Sequence, residues 1–469
     1  MKLRSLITLI LLSSTAFAQS KAIDWKAIDA ETLRHFTTLI KTDTSNPPGH
    51  ETLVAKYLQG VLEREGIPTK LVGANPDRLS LIARLKGNGT KKPILIMGHT
   101  DVVGVQRERW AQDPFGAARI DGYIWGRGTI DDKDLVVGAL MTILQLKRSG
   151  VQLDRDVIYV AEAGEEGGSP DGTFGIQYII KNNWPDIDAE YCLTEGGEFR
   201  SVGGKVMFEK IEVTEKVGRG MRLVAHGTAG HGSMPREDNA IVHLSAAVAA
   251  IGKWQPPMHF TDVTRTYVEG LAKVSPPEEA ARLNALFDSS KTAAAQDYFR
   301  KNNIEMNSIL RTSVSPNIIN GGFRSNVIPS EATATLDIRA IPDEDMDKFK
   351  AMMTQVINDP AVTIESNGNF GGAGMAPVSS LQTEMYQALT KAQQKIYPGI
   401  AVLPWMATGA TDMRGLRLKG MQSYGIGAEI PQEDLITHAM HSDNERIKES
   451  GLYAFVHYFY EAVSQVAAK

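Results

Sequence analysis

Pro93-Ile94-Leu95-Ile96-Met97-Gly98-His99-Thr100-Asp101 is an apolar run that ends in a glycine, a histidine and a carboxylate. An apolar run this short, bounded by polar residues, fits a strand buried on both faces of a sheet. In an open α/β sheet, ligands sit just beyond the strand ends. His99 and Asp101 fall at that place. The pattern recurs at 156–161, followed by Gly164-Glu165-Glu166-Gly167, and at 191–193, followed by Thr194-Glu195-Gly196-Gly197. Gly126-Arg127-Gly128-Thr129-Ile130-Asp131-Asp132-Lys133 and His441-Ser442-Asp443-Asn444-Glu445 add further carboxylates and a second histidine. Two histidines and several carboxylates gathered at one sheet edge would make the ligand mixture of a hydrolytic zinc pair.

Outward from this run, strand-like segments at 79–85, 93–97, 156–161 and 191–193 alternate with helical periodicity at 51–65, 135–146 and 174–180. That alternation predicts an α/β fold with a mostly parallel sheet flanked by helices. The grammar changes after Lys210. Strands at 221–225, 311–315 and 332–338 and helices at 239–251 and 343–357, with a Pro-bearing charged stretch at 256–303 between them, predict an inserted α+β domain. The α/β pattern resumes with a helix at 379–396, a strand at 401–405 and a helix at 446–463. The expected organisation is a signal peptide over 1–18, a catalytic domain in two parts over 19–212 and 371–469, and an inserted lid or dimerisation domain over 213–370.

Lys2 and Arg4, the apolar run 6–12 and Ala16-Phe17-Ala18 have the arrangement of a secretory signal cleaved near Ala18. The apolar run is shorter than the roughly 20 residues a membrane-crossing helix needs. An exported, periplasmic location follows as an expectation. Cleavage would take the formal charge from −5 to −7, since Lys2 and Arg4 leave with the signal. A mildly acidic chain argues against nucleic acid and anionic membranes as partners. The one cysteine, Cys192, lies in an apolar run and is expected to be a small buried hydrophobe.

Each acidic segment has its own chemistry. His-x-Asp at a strand end suits a metal-bound imidazole whose other N–H goes to a carboxylate, here Asp101. A carboxylate of the Asp131-Asp132 turn has two oxygens and can bridge two cations about 3.5–4 Å apart. A plain acidic turn with Asp131 or Asp132 as N-cap has the same sequence. Glu165 and Glu166 can divide the labour, one binding metal and the other taking a proton from the attacking water, with its pKa raised by the neighbouring carboxylate. Glu195 and His441 offer further ligands.

Taken together, from Ser45-Asn46-Pro47-Pro48-Gly49 to His441-x-x-Asn444-Glu445, these segments resemble the dinuclear zinc amidohydrolase family. That family includes glutamate carboxypeptidase, aminoacylase, acetylornithine deacetylase and succinyl-diaminopimelate desuccinylase. The resemblance implies a zinc-exopeptidase type fold and two Zn2+ per chain, with Co2+ or Mn2+ as substitutes. His99, Asp131 and Glu195 would hold one ion, and Asp131, Glu166 and His441 the other. Asp131 would bridge through a cis peptide to Asp132, Glu165 would be the general base, and Asp101 would support His99. Asp134 departs from the glycine usual in relatives, and His438 competes with His441 but lacks the spacing to Glu445.

By the same resemblance, His231 in Gly230-His231-Gly232-Ser233-Met234-Pro235 would polarise the scissile carbonyl, often from a partner subunit. Oxyanion stabilisation is the physical logic, and a loop histidine is the competing reading. Asn326 and Arg339 would contact the substrate carbonyl and carboxylate, Arg because its planar fork donates two parallel hydrogen bonds. Arg339 could equally form an ion pair with Asp337 or Glu331. Gly409-Ala410-Thr411-Asp412 resembles a turn whose backbone approaches substrate. His35, His50, His243, His259 and His457 match no motif.

The resemblance implies hydrolysis of an amide beside a free carboxylate, as a carboxypeptidase or N-acyl-amino-acid deacylase. The long insert between Trp254 and Arg311 resembles the subgroup that includes glycine-X carboxypeptidases and N-fatty-acyl-amino-acid hydrolases. The expected partners are a small peptide or N-acyl amino acid and a second copy joined through the lid. The alternatives are a catalytically silent periplasmic binding protein on the same scaffold and a hydrolase of a non-peptide amide.

Overall fold

A computed structural model describes residues 23–366 and 374–468. The expected signal segment, its cleavage point and the expected boundary at 370 lie outside the described residues. The larger sheet has ten strands. Its centre is parallel. Val157–Glu162, Ile94–His99, Tyr191–Thr194 and Gln422–Gly425 lie side by side in that order. Antiparallel pairs flank this centre: Thr69–Val72 and Ser80–Leu85 on one side, Glu198–Val202 and Lys205–Glu215 on the other.

Successive side chains of Ile94–His99 go to opposite faces, and both faces are apolar. Ile94 and Ile96 join the core under the helices Trp25–Lys41, Lys133–Ser149 and Glu449–Ala467, while Leu95 and Met97 pack on the other side with Ile158, Val160, Cys192 and Ile176. The period of two explains why this strand reads as an unbroken apolar run. Burying each such side chain contributes roughly 1.5–3 kcal/mol, which holds the strand end and His99 in place. Cys192 is fully buried, as a small hydrophobe.

A second sheet of five strands includes Met221–His226, Ser313–Gly321, Glu331–Ala340 and Val362–Ser366. The helices Ala240–Lys253 and Met346–Ile357 cover it and form a separate small core with Leu223, Leu336 and Ile338. Asn239 and Asp345 cap these helices by accepting from the backbone N–H groups of Ile241 and Lys348. Ser313–Gly321 runs well past the expected end at 315, because a register shift at Pro316 lets this edge strand continue without that residue's N–H. The charged stretch after Pro256 folds into four helices, Asp262–Val274, Pro277–Ala285, Thr292–Asn302 and Ile304–Ile309. Their apolar residues, among them Tyr267, Val268, Leu283 and Phe299, enter the larger core.

Two charged strands escaped the periodicity. Lys205–Glu215 is an 11-residue strand in the middle of the sheet, and Arg446–Lys448 is a short strand where the last helix was expected to begin. Among the described residues no helix is long and apolar enough to cross a membrane.

Candidate metal centre

His99 is the last residue of its strand and is buried. Its Nδ1 lies 3.0 Å from the Asp101 carbonyl oxygen and 3.5 Å from Asp101 Oδ1. Nε2 lies 2.9 Å from Asp131 Oδ1 and 3.8 Å from Glu195 Oε2. With a ring proton held on the Nδ1 side, it is the nitrogen that would take a metal ion. Asp101 has a further task beyond supporting His99. Its carboxylate accepts from the backbone N–H groups of Gly164, Glu165 and Glu166 at 2.9, 3.1 and 3.2 Å. It thereby fixes the turn that carries both glutamates.

Asp131 sits beyond Gly128 and precedes the helix Lys133–Ser149, with a cis peptide to Asp132. Its two oxygens face different histidines, Oδ1 toward His99 and Oδ2 toward His441 Nε2 at 3.1 Å. The same His441 nitrogen is 3.0 Å from Glu166 Oε1. Ligand atoms of His99, Asp131 and Glu166, and those of His99, Glu165 and Glu195, each lie within 4.8 Å of one another. All six side chains come together at one edge of the sheet.

The field at this edge favours cations. His441 is pushed up to about 10, by the carboxylates of Asp131 and Glu166 first. Burial alone would lower His99, yet Asp101, Asp131 and Glu195 hold it well above its ordinary value. Burial raises Glu165 to about 8, with the charges of Asp412, Asp131 and Glu166 adding to it against the pull of His99. Imidazoles and oxygens converging in such a field suit divalent transition-metal ions, and the donors present fit a pair of them.

Asp131, Glu165, Glu166, Glu195 and His441 line a cavity of about 640 Å³, and the buried His99 reaches the cluster without lining it. Gly409 and Arg339 line it too. Arg339 also donates to Asp337 Oδ1 at 2.9 Å, so it keeps the ion pair that the sequence offered as its alternative. Thr411 is tied to Glu215 at 2.8 Å, which braces the Gly409 turn. His231 and Asn326 are elsewhere. They lie together on the smaller domain, where His231 pairs with Val327 and the Gly232 N–H donates to the Asn326 carbonyl at 2.9 Å. Neither lines the cavity of its own chain. His438 packs edge-on against Trp125 and stays out of the centre.

Two supports went unassigned in the sequence. Asn46 donates to Asp101 Oδ2 at 2.9 Å. Glu445, fully buried, accepts from Arg127 at 2.6 Å and from the backbone of Gly128, Ile130 and Asp131 at 3.2, 2.8 and 3.3 Å. It holds the Asp131 turn in shape. The only signal was its fixed distance from His441. Glu445→Ala leaves Arg127 buried and unpaired, so it is expected to cost about 3–5 kcal/mol of stability. Chemical denaturation of the metal-free variant beside the parent checks this, and a change below about 1 kcal/mol would deny Glu445 that role.

The family described as Peptidase family M20/M25/M40 matches residues 95–465. The chain is similar to a protein called probable carboxypeptidase S-like 2 from Dictyostelium discoideum, 30% identical over 346 residues, covering 71% of this chain and 64% of that one. It thus spans less than two thirds of that relative. The N-fatty-acyl-amino acid synthase/hydrolase PM20D1 of Xenopus tropicalis is 27% identical over 380 residues, covering 79% and 72% of the two chains. An M20 family metallo-carboxypeptidase from Sulfolobus solfataricus has the same fold, with a TM-score of 0.67 and 19% identity over 93% of this chain and 99% of that one.

Proposed function

Since the chain belongs to peptidase family M20/M25/M40, and is a hydrolase of that family, we propose that it cleaves an amide bond next to a free carboxylate with two divalent metal ions. The observation that carries this reading is Asp131, whose two oxygens face His99 and His441 separately. His99, Asp131 and Glu195 would hold one ion, and Asp131, Glu166 and His441 the other, zinc in the first place. When bound, such a pair polarises the scissile carbonyl and acidifies a water.

The chain's own residues do the rest. Glu165 takes the proton of the attacking water and hands it to the leaving nitrogen. Asp101 keeps Glu165 and Glu166 at fixed height through their backbone N–H groups. Arg339 binds the free carboxylate on the product side of the scissile amide. A silent binding protein would need no Glu165. Reconstitution followed by elemental analysis is expected to give two metal ions per chain, with turnover of dipeptides or N-acyl amino acids rising with occupancy. A ceiling of one ion, or full loading without turnover on either substrate class, would refute the reading.

We also propose that the smaller domain pairs two copies of the chain. Met234, Val242, Ile318, Ile319 and Phe323, on the same domain as His231, are 55% or more exposed. An apolar patch of this kind suits an interface between copies.

A further inference from the structure

The cavity has a second polar wall that amide hydrolysis leaves unused. Lys210 Nζ is buried there, 2.8 Å from Glu198 Oε1, 3.1 Å from Glu305 Oε1 and 4.1 Å from the centre of the Trp405 ring. Behind it Arg200 pairs with the same Glu198 and donates to Gln432 at 3.0 Å. Burial alone would raise Glu198, but Arg200 and Lys210 bring its carboxyl down to about 2. The wall lies close to the metal centre. Gly196 has φ +112°, and a Cβ there would sit 1.9 Å from Glu212, so this tight loop lets the chain return at once to the cavity at Glu198. Three residues of chain span at most about 11 Å from Glu195.

Two carboxylates balance two cations here, so the wall is neutral. Its hydrogen-bonding capacity is unequal. The Lys210 ammonium has three donors and no acceptor, and two carboxylates and a ring face already surround it. The unpartnered Arg200 Nε is sealed from solvent, and Arg200 does not line the cavity. Each carboxylate has about four lone-pair sites, most of them unused. Glu305 is 44% exposed, in the first turn of its helix and on the cavity wall. Donors are spent and acceptors remain.

Resting on the amide-hydrolysis reading above, we propose that Glu198 and Glu305 form a subsite for the acyl side of the substrate and select an ammonium or guanidinium group there. Such a group is the free α-amino group of an unblocked peptide or a basic side chain. A long alkyl chain would strip water from Glu305 and return no hydrogen bond, which is costly for a charged group.

The test compares kcat/KM for four substrates that share a leaving leucine: Ala-Leu, N-acetyl-Ala-Leu, N-acetyl-Lys-Leu and N-dodecanoyl-Leu. Ala-Leu or N-acetyl-Lys-Leu is expected to exceed N-acetyl-Ala-Leu by about ten-fold, the lower end for a hydrogen bond to a charged group. Which of the two gains tells the α-ammonium from the side-chain cation. Glu305→Gln keeps an oxygen for Lys210 and is expected to remove most of that ratio. A preference for N-dodecanoyl-Leu overturns the subsite, as does a ratio that Glu305→Gln leaves unmoved while both rates fall together. Hydrolysis of none of the four instead overturns the amide-hydrolysis reading beneath it.

Discussion

Glu165→Gln is expected to lower kcat by roughly 10²–10⁴-fold while the protein keeps its metal and its fold. The substitution preserves shape and the backbone N–H that Asp101 accepts at 3.1 Å. It deletes only the capacity to take a proton. Burial and the surrounding carboxylates raise Glu165 to about 8, and the positive charge of a bound metal pair would pull it back down toward the range where a base works at neutral pH. Glu166→Gln should behave differently. Its Oε1 lies 3.0 Å from His441 Nε2, beside an oxygen of Asp131, so loss of its charge weakens a ligand cluster. Lower metal occupancy is the expected result there, with activity returning in excess metal. Mass-spectrometric metal analysis and steady-state kinetics on both variants separate the two roles. Equal metal loss in both would sink the division of labour.

What the sequence disclosed follows from where burial is apolar. Ile94 to Met97 carry apolar side chains to both faces of the sheet, so the strand and the position of His99 at its end were legible from composition alone. The partners at strand ends were legible for a related reason, since the parallel centre sets several strand ends side by side. Lys205–Glu215 was not legible, although it is central. Glu209, Lys210, Glu212 and Glu215 are buried in it, and Lys210, Glu212 and Glu215 draw ion-pair partners, Glu305 and Arg417, from far along the chain. Arg417 bridges Glu212 and Glu215 at 3.3 and 3.5 Å, and Glu198 and Glu305 meet Lys210. No local pattern reports such pairings. The same holds for residues 262–309, whose helices were masked by charge on their outer faces while Tyr267 and Phe299 entered the larger core. It also holds for Glu445, whose value lies in backbone N–H groups more than 300 residues earlier.

His231→Ala is expected to lower kcat by roughly 10²–10³-fold with metal content unchanged, the range for loss of one oxyanion donor. The Ser233 N–H donates to His231 Nδ1 at 3.1 Å, which makes that nitrogen an acceptor. In the neutral ring the proton therefore sits on Nε2, the form a carbonyl oxygen needs in a donor. Yet His231 is exposed on the smaller domain and does not line the cavity that Glu165 and Arg339 share. A donor prepared in this way, on the domain that exposes Met234, Ile318 and Phe323, suits delivery to the cavity of a second copy. That arrangement makes a specific demand. Mixing His231→Ala chains with Glu165→Gln chains should restore activity, because in half-and-half dimers one cavity regains both an intact base and an intact donor. Recovery should approach a quarter of the parent rate when the chains mix at random, since half of the dimers then carry one intact site of two. Absence of recovery in mixed dimers confirmed by mass spectrometry would return His231 to its own chain, reached by closure of the lid, or remove it from the reaction. Dissociation to monomers with full activity would exclude the crossing arrangement outright.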